Sequence, residues 1–94
     1  MHKQSIENIA VLIELDKLEI EAWIYAFNSE KDNNIKREFK DKLYNCYFDF
    51  YTNSLTFFRV LDANKSIPFN REQYLKDIKG LVNLLNNFDN LFRI

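Results

Sequence analysis

Glycine, proline, cysteine and histidine are almost absent from this chain of 94 residues, in which each occurs once. Sheet proteins need turn residues every few positions, so a single Gly80 and a single Pro68 argue against strands joined by tight turns. With no second glycine, no glycine-rich loop can cradle a phosphate group, which disfavours nucleotide binding. The composition predicts an all-α fold, a bundle of three long helices in one domain over residues 1–94.

The scarcity of cysteine and histidine also leaves little catalytic or metal chemistry. A zinc site needs about four such ligands, and the chain offers only Cys46 and His2. Cys46 falls on an apolar helix stripe and is interpreted as a buried packing thiol, while His2 is interpreted as solvated. We therefore expect no enzyme activity, no metal, no cofactor and no small-molecule substrate.

Long apolar runs are missing as well. No stretch of about 18 uncharged apolar residues occurs, so the sequence predicts no membrane span. The first apolar stretch carries acidic residues and lacks a small-residue cleavage site, which argues against a signal peptide. Together with the single cysteine, which suits a reducing compartment, these features predict a cytoplasmic protein.

What is abundant is apolar surface on helices. The first predicted helix, Ser5–Asn28, is capped by Ser5 and is apolar around more than half its circumference, so we expect neighbours on two sides. An alternative interpretation takes Asp16 and Glu19 as a capping box that splits this helix in two. Its polar side is a narrow acidic stripe, formed by Glu7, Glu14 and Glu21.

The second predicted helix, Asn34–Ala63, has two apolar faces. Asp32 or Asn33 is its expected cap, and Thr52–Ser54 is a possible bend. One face is a core stripe that contains Leu43 and Cys46. From Tyr44 onward a second face opens, which we name the aromatic face; its members are Tyr44, Tyr47, Phe48, Tyr51, Leu55 and Phe58.

The third predicted helix begins at Asn70, which together with Gln73 resembles a capping box. Its apolar residues form one seam of three heptads, which predicts a single amphipathic helix on the outside of the bundle. Gly80 in its middle suggests close approach to a neighbour. The seam consists of Tyr74, Ile78, Leu81, Leu85, Phe88 and Phe92.

The aromatic face allows two interpretations. Its rings are either packed within the chain, or exposed and covered by another protein or by a second copy. We favour a partner, because tyrosine tolerates a half-wet position and is enriched at interface centres.

The predicted function is therefore a non-enzymatic protein-binding module, an inhibitor, immunity protein or adaptor that uses the aromatic face. The acidic stripe is the second candidate surface and would suit a basic partner, since residues 1–29 hold five acidic and two basic side chains. Abundant Asn, Lys, Ile and Phe indicate an AT-rich gene, and small helical proteins of such genomes include phage-encoded and mobile-element proteins. That likeness rests on size and composition, with no shared motif.

Two alternatives stay open. One is a homodimeric regulator that binds nucleic acid through Lys31–Lys42, where five basic residues are interleaved with acidic ones and the net field is weak. These residues are Lys31, Lys36, Arg37, Lys40 and Lys42. The other is a self-assembling structural subunit whose excess apolar surface closes an oligomer.

Overall fold

The protein is all-α, as the composition predicts. The structure, a computed structural model, describes residues 3–94, with side chains from Ile6 onward, and no strand occurs in that range. Three of its four helices are long, and none of the helices in that range is long and apolar enough to cross a bilayer. The helices are α1 (Lys3–Ser29), α2 (Asn33–Ala63), α3 (Arg71–Asn86) and α4 (Phe88–Leu91).

Helix α1 is continuous through Asp16, so the predicted alternative of a split at that residue is wrong. The Asp16 carboxylate instead accepts a hydrogen bond from Asn53 Nδ2 of α2 at 2.8 Å. The helix already includes Ser5, and the predicted N-cap at that position is therefore wrong. The side chain of Ser5 lies outside the described residues, as does His2.

Helix α2 begins where its capping chemistry predicts. Asp32 Oδ1 accepts from the backbone N–H groups of Asn34 and Ile35, at 2.8 and 3.3 Å. These bonds satisfy two of the amides that have no partner in the first turn. The helix runs unbroken through Thr52–Ser54, and its 31 residues span nearly the whole 50 Å length of the molecule.

Helix α3 ends earlier than its apolar pattern predicts. Asn70 caps its start by accepting from Gln73 N at 3.0 Å, but the Gln73 amide donates forward to Asp77, so only half of the capping box forms. At the other end the helix stops at Asn86, and Asn87 Nδ2 donates to Asn83 O at 2.9 Å. The predicted single helix through Phe92 is wrong, because α4 forms a separate turn that carries Phe88 into the core.

The helices form an open layer around α2. The pairing of Cys46 with Glu19, and of Asn53 with Asp16, shows that α1 lies antiparallel to α2. Helix α3 packs along the second half of α2, while the backbones of α1 and α3 scarcely approach each other. The molecule measures 50 × 24 × 15 Å, which is one or two helices thick. A closed triangular bundle would bring all three long helices into contact.

The core is correspondingly thin. Leu43 is the one completely buried large side chain among the described residues, and Ile20, Cys46 and Phe88 surround it. The radius of gyration is 15.4 Å, whereas a compact chain of this length has about 12 Å. The accessible surface is 6798 Å², whereas about 5,800 Å² is usual at this mass. The fold thus leaves roughly 1,000 Å² more surface uncovered than a compact monomer does.

Candidate functional site

The two ends of the aromatic face are covered by the chain itself. At one end the rings of Tyr44 and Tyr47 lie edge-on to Phe88, with centroids 5.1 and 6.2 Å away. At the other end Phe58 is 8% exposed and packs against Phe69 and Tyr74, both at 5.9 Å. These contacts occupy both ends of the face without a partner.

The part of the aromatic face between these contacts remains partly open, and it includes one side of the Tyr44 ring. Tyr44 and Phe48 are 39% and 48% exposed and stack with their centroids 6.5 Å apart. Tyr51 lies 6.3 Å from Phe48 and is half-buried, as is Leu55. The free part of the predicted surface is therefore a small patch around Phe48, and its role in partner binding stays a prediction.

A larger apolar surface lies on α1. Five residues follow one another at helical steps of four and three on the side that faces solvent, and we name them the outer seam. The large members are between 49% and 76% exposed, and Leu12 beside them is also exposed. The outer seam consists of Val11, Leu15, Leu18, Ala22 and Tyr25.

The seam is open because α1 uses its opposite side for packing. Ile20 and Phe27 are buried, and the Trp23 ring lies 5.4 Å from Phe39 of α2. Phe27 also meets Phe92 edge-on at 5.8 Å. Sequence reasoning found that α1 is apolar on two sides but did not assign its second side to binding. The four-and-three spacing of the seam was the available signal.

The acidic stripe runs along one edge of the outer seam. At 100° per residue, Glu7, Glu14 and Glu21 fall directly beside it, and all three are exposed. Lys17 Nζ lies 3.2 Å from Glu14 and is the one base in an ion pair with the stripe among the described residues. The stripe and the seam therefore make one continuous surface, an apolar strip with an anionic edge.

The other edge of the seam carries one exposed carboxylate. Glu19 is exposed there, and Asp16 and Asp49 lie close behind it. Burial raises the pKa of Asp16, an effect that its hydrogen bond from Asn53 opposes and that Asp49 and Glu19 reinforce. Negative charge thus follows the whole of one edge of the apolar strip and is present on the other edge at Glu19.

Cys46 shows no sign of activation. It is buried, and its thiol donates to Glu19 Oε2 at 3.4 Å. Burial, followed by the contact with Glu19, raises its pKa to about 11, so the thiol keeps its proton at neutral pH. Within residues 3–94, no group of three or more ligating side chains could hold a metal ion.

The basic residues of Lys31–Lys42 are partly engaged in packing. Lys36 Nζ lies 4.7 Å above the Phe27 ring, and Lys42 Nζ lies 5.9 Å from the Trp23 ring. Lys40 pairs with Asp89 at 3.0 Å. Such contacts divert part of the positive charge from solvent, and the role of this segment in nucleic-acid binding stays untested.

An apolar groove separates α1 from α3. It has a volume of about 470 Å³ and its floor is formed by Phe50 and Ser54 of α2. Gly80 lines one wall, and a Cβ atom placed there would meet nothing within 4 Å. The close approach predicted at Gly80 is therefore wrong within this chain, because α1 stands too far away.

Comparison with known proteins supplies no family for the chain: no family model, curated protein or solved structure matches it.

Proposed function

We propose that this protein is a non-enzymatic binding module that docks another protein on the outer seam of α1. The observation that supports this proposal is a strip of apolar side chains left exposed on a helix whose opposite side is already packed. Monomers seldom keep a continuous strip of this kind uncovered unless it binds something.

The composition of the outer seam fits the centre of a protein interface. The outer seam supplies branched aliphatic groups for the centre, and Tyr25 supplies an aromatic group, while charged residues lie only at the edges. That division matches the apolar core and polar rim of protein interfaces.

Within this class we favour a small inhibitor, immunity protein or adaptor that acts inside the cell. Such proteins act through one binding surface, here the outer seam of α1, and binding through it requires no catalytic group. The partner is blocked or recruited by occupation of its own surface.

A site-specific photo-crosslinker tests the proposal in cells. Placed at Leu18, it should yield a discrete heterologous adduct, which is then identified, purified and titrated against the protein. Leu15→Ala combined with Leu18→Ala should weaken that complex by at least about tenfold, as loss of interface anchors does. The matched control places the crosslinker at Asn83, an exposed polar position on α3. Adducts from Asn83 and none from Leu18 would refute the assignment of the seam.

A second candidate surface is the open patch of Tyr44 and Phe48, because both rings remain exposed in the folded chain. A crosslinker at Phe48 that captures the same protein as Leu18 would extend the interface across α2. Capture from Phe48 alone would transfer the function to the aromatic face.

A further inference from the structure

We infer that the segment docked on the outer seam is a basic amphipathic α-helix of another protein. This inference rests on the proposed function and adds the shape and charge of the partner. It follows from the spacing of the seam and from the sign of both its edges.

The spacing selects a helix. From Val11 to Tyr25 the seam residues alternate steps of four and three, which is the heptad pattern of a helix-packing stripe. Fourteen steps of about 1.5 Å from the first residue to the last give a strip about 21 Å long, which accommodates about four turns of a second helix. Side chains from such a helix would insert between Leu15, Leu18 and Ala22. A straight, narrow strip of this kind offers no unpaired backbone to an extended peptide.

The charge selects a basic partner. In heptad terms the acidic stripe occupies the flanking positions on one side of the seam. On the other side Glu19 occupies one flanking position, between Leu12 and Ala26. Flanking positions face the corresponding positions of the paired helix and decide which helices pair. Lys17 is the one cation in an ion pair with the stripe among the described residues. Lysine or arginine beside the apolar stripe of the partner would therefore meet carboxylates of which only Glu14 is ion-paired among the described side chains.

The same charges disfavour a second copy of this chain. In a parallel pair, Glu14 of one copy would face Glu19 of the other. In an antiparallel pair, one acidic stripe would lie along the other stripe. Like charges in these positions oppose association, and both orientations contain them.

Phosphate-bearing partners are disfavoured for the same reason. Nucleic-acid backbones and anionic lipid surfaces bind to cationic faces, and the polar edges of this seam carry Glu7, Glu14, Glu19 and Glu21. A cationic protein helix is the class of partner that satisfies both the apolar strip and its anionic edges.

The test uses two designed peptides of about four heptads with identical leucine and isoleucine stripes. One carries lysine at all flanking positions and the other carries glutamate, so that neither peptide pairs well with itself. Fluorescence anisotropy measures their binding to the full chain at low and high salt. We expect the lysine peptide to bind at least about tenfold more tightly, with the difference shrinking as salt screens the charges.

Two variants separate charge from apolar contact. The triple variant Glu7→Gln, Glu14→Gln and Glu21→Gln should remove most of the preference for lysine and leave the seam intact. Leu15→Ala with Leu18→Ala keeps every charge and should weaken binding of both peptides. Because all five positions are exposed, neither variant should disturb the fold.

Several outcomes would overturn the inference. Equal binding of the two peptides that depends on Leu15 and Leu18 would leave the proposed function standing and refute a basic partner. Binding of the lysine peptide that ignores the leucine substitutions would show mere charge attraction. No binding of the lysine peptide also refutes the inference, while the crosslink at Leu18 tests the proposed function independently. A mass near twice 11.4 kDa in light scattering, lost in the leucine variant, would make a second copy the occupant.

Discussion

The aromatic face of α2 is largely covered by the chain itself, whereas the outer seam of α1 is left exposed. Each is a second apolar face on a helix that already contributes one face to the core. The chain covers much of the aromatic face with Phe69, Tyr74 and Phe88, whereas it places nothing over Leu15 and Leu18. A second apolar face therefore indicates that a helix packs against two neighbours. It does not indicate whether the second neighbour belongs to the same chain.

Connectivity explains the difference. After α2 the chain turns back and lays α3 and α4 along α2, so the aromatic face receives rings from two later segments. Helix α1 comes first and has α2 as its main neighbour. Helix α3 lies on the Ile13 and Lys17 side of α1, and no later segment among the described residues is laid over Leu15 and Leu18, so the outward side of α1 stays open.

The largest effect that tests this comparison should come from Phe58→Ala. Phe58 is 8% exposed and contacts two rings, so its loss should lower the free energy of unfolding by about 3–5 kcal/mol. Urea denaturation followed by circular dichroism measures the change. A loss below about 1 kcal/mol would mean that this end of the aromatic face is not packed as described.

A smaller loss of stability should distinguish Tyr47 from its neighbour Phe48 on the same helix. Tyr47 touches Phe88 and Phe92, both with centroids 6.2 Å away, whereas Phe48 is 48% exposed. Tyr47→Ser should cost about 2 kcal/mol, since half-buried rings lose part of the full cavity penalty. Phe48→Ser should cost under about 1 kcal/mol, near the range of surface substitutions. Equal losses would erase the division between the covered and the open parts of the face.

Much of the fold could be predicted because the signals are local. The long helices follow from apolar periodicity, and Asp32 and Asn70 cap their helices through bonds to amides two or three residues away. The buried position of Cys46 follows from its place in the core stripe. In each case the deciding residues lie within one or two turns of one another.

The errors come from contacts between distant segments. The break at Asn87 depends on the burial of Phe88 against Tyr44 and Tyr47, which the heptad pattern of α3 alone does not show. The space beside Gly80 depends on how far α3 stands from α1. The openness of the outer seam depends on whether any later segment returns over the outward side of α1. Periodicity identifies an apolar face, but the course of the whole chain decides whether that face is covered.

The packing of α1 against α2 should be measurable through the titration and the alkylation rate of Cys46. Because its pKa is raised from 9.0 to about 11, the folded state holds this proton more tightly than the unfolded state does. Its contribution to stability should therefore be lost as the pH rises from about 9 to about 11. Alkylation in the folded state should be about 100-fold slower than for a free thiol, in proportion to the smaller thiolate fraction.

The control for this prediction is Cys46→Ala. Because this variant has no thiol to titrate, its free energy of unfolding should fall less at alkaline pH than that of the unsubstituted protein. Urea denaturation at several pH values measures the difference between the two proteins. Rapid alkylation of the native protein at neutral pH would show that the contact between α1 and α2 opens readily at Glu19.

Gly80→Ala should test whether the space between α3 and α1 is open. Glycine in the middle of a helix costs about 0.5–1 kcal/mol relative to alanine, and a Cβ at this position meets nothing within 4 Å. The substitution should therefore raise the free energy of unfolding by about that amount, measured by urea denaturation. A destabilised variant would show that α1 or another segment approaches α3 closely in solution.

The smallest effect should come from the outer seam, in Leu18→Ala. Leu18 is 63% exposed and has lost little water-accessible area on folding, so its truncation should change stability by less than about 0.5 kcal/mol. Leu43→Ala is the matched control, because the same side chain is completely buried there and should cost about 2–5 kcal/mol. If the two leucines proved equally costly in a dilute monomer, the seam would be covered by the chain itself. If Leu18→Ala became costly only at high protein concentration, a second copy would cover it. Indifference to Leu18→Ala at every concentration would leave the seam free for a different protein, which is the condition that the proposed function requires.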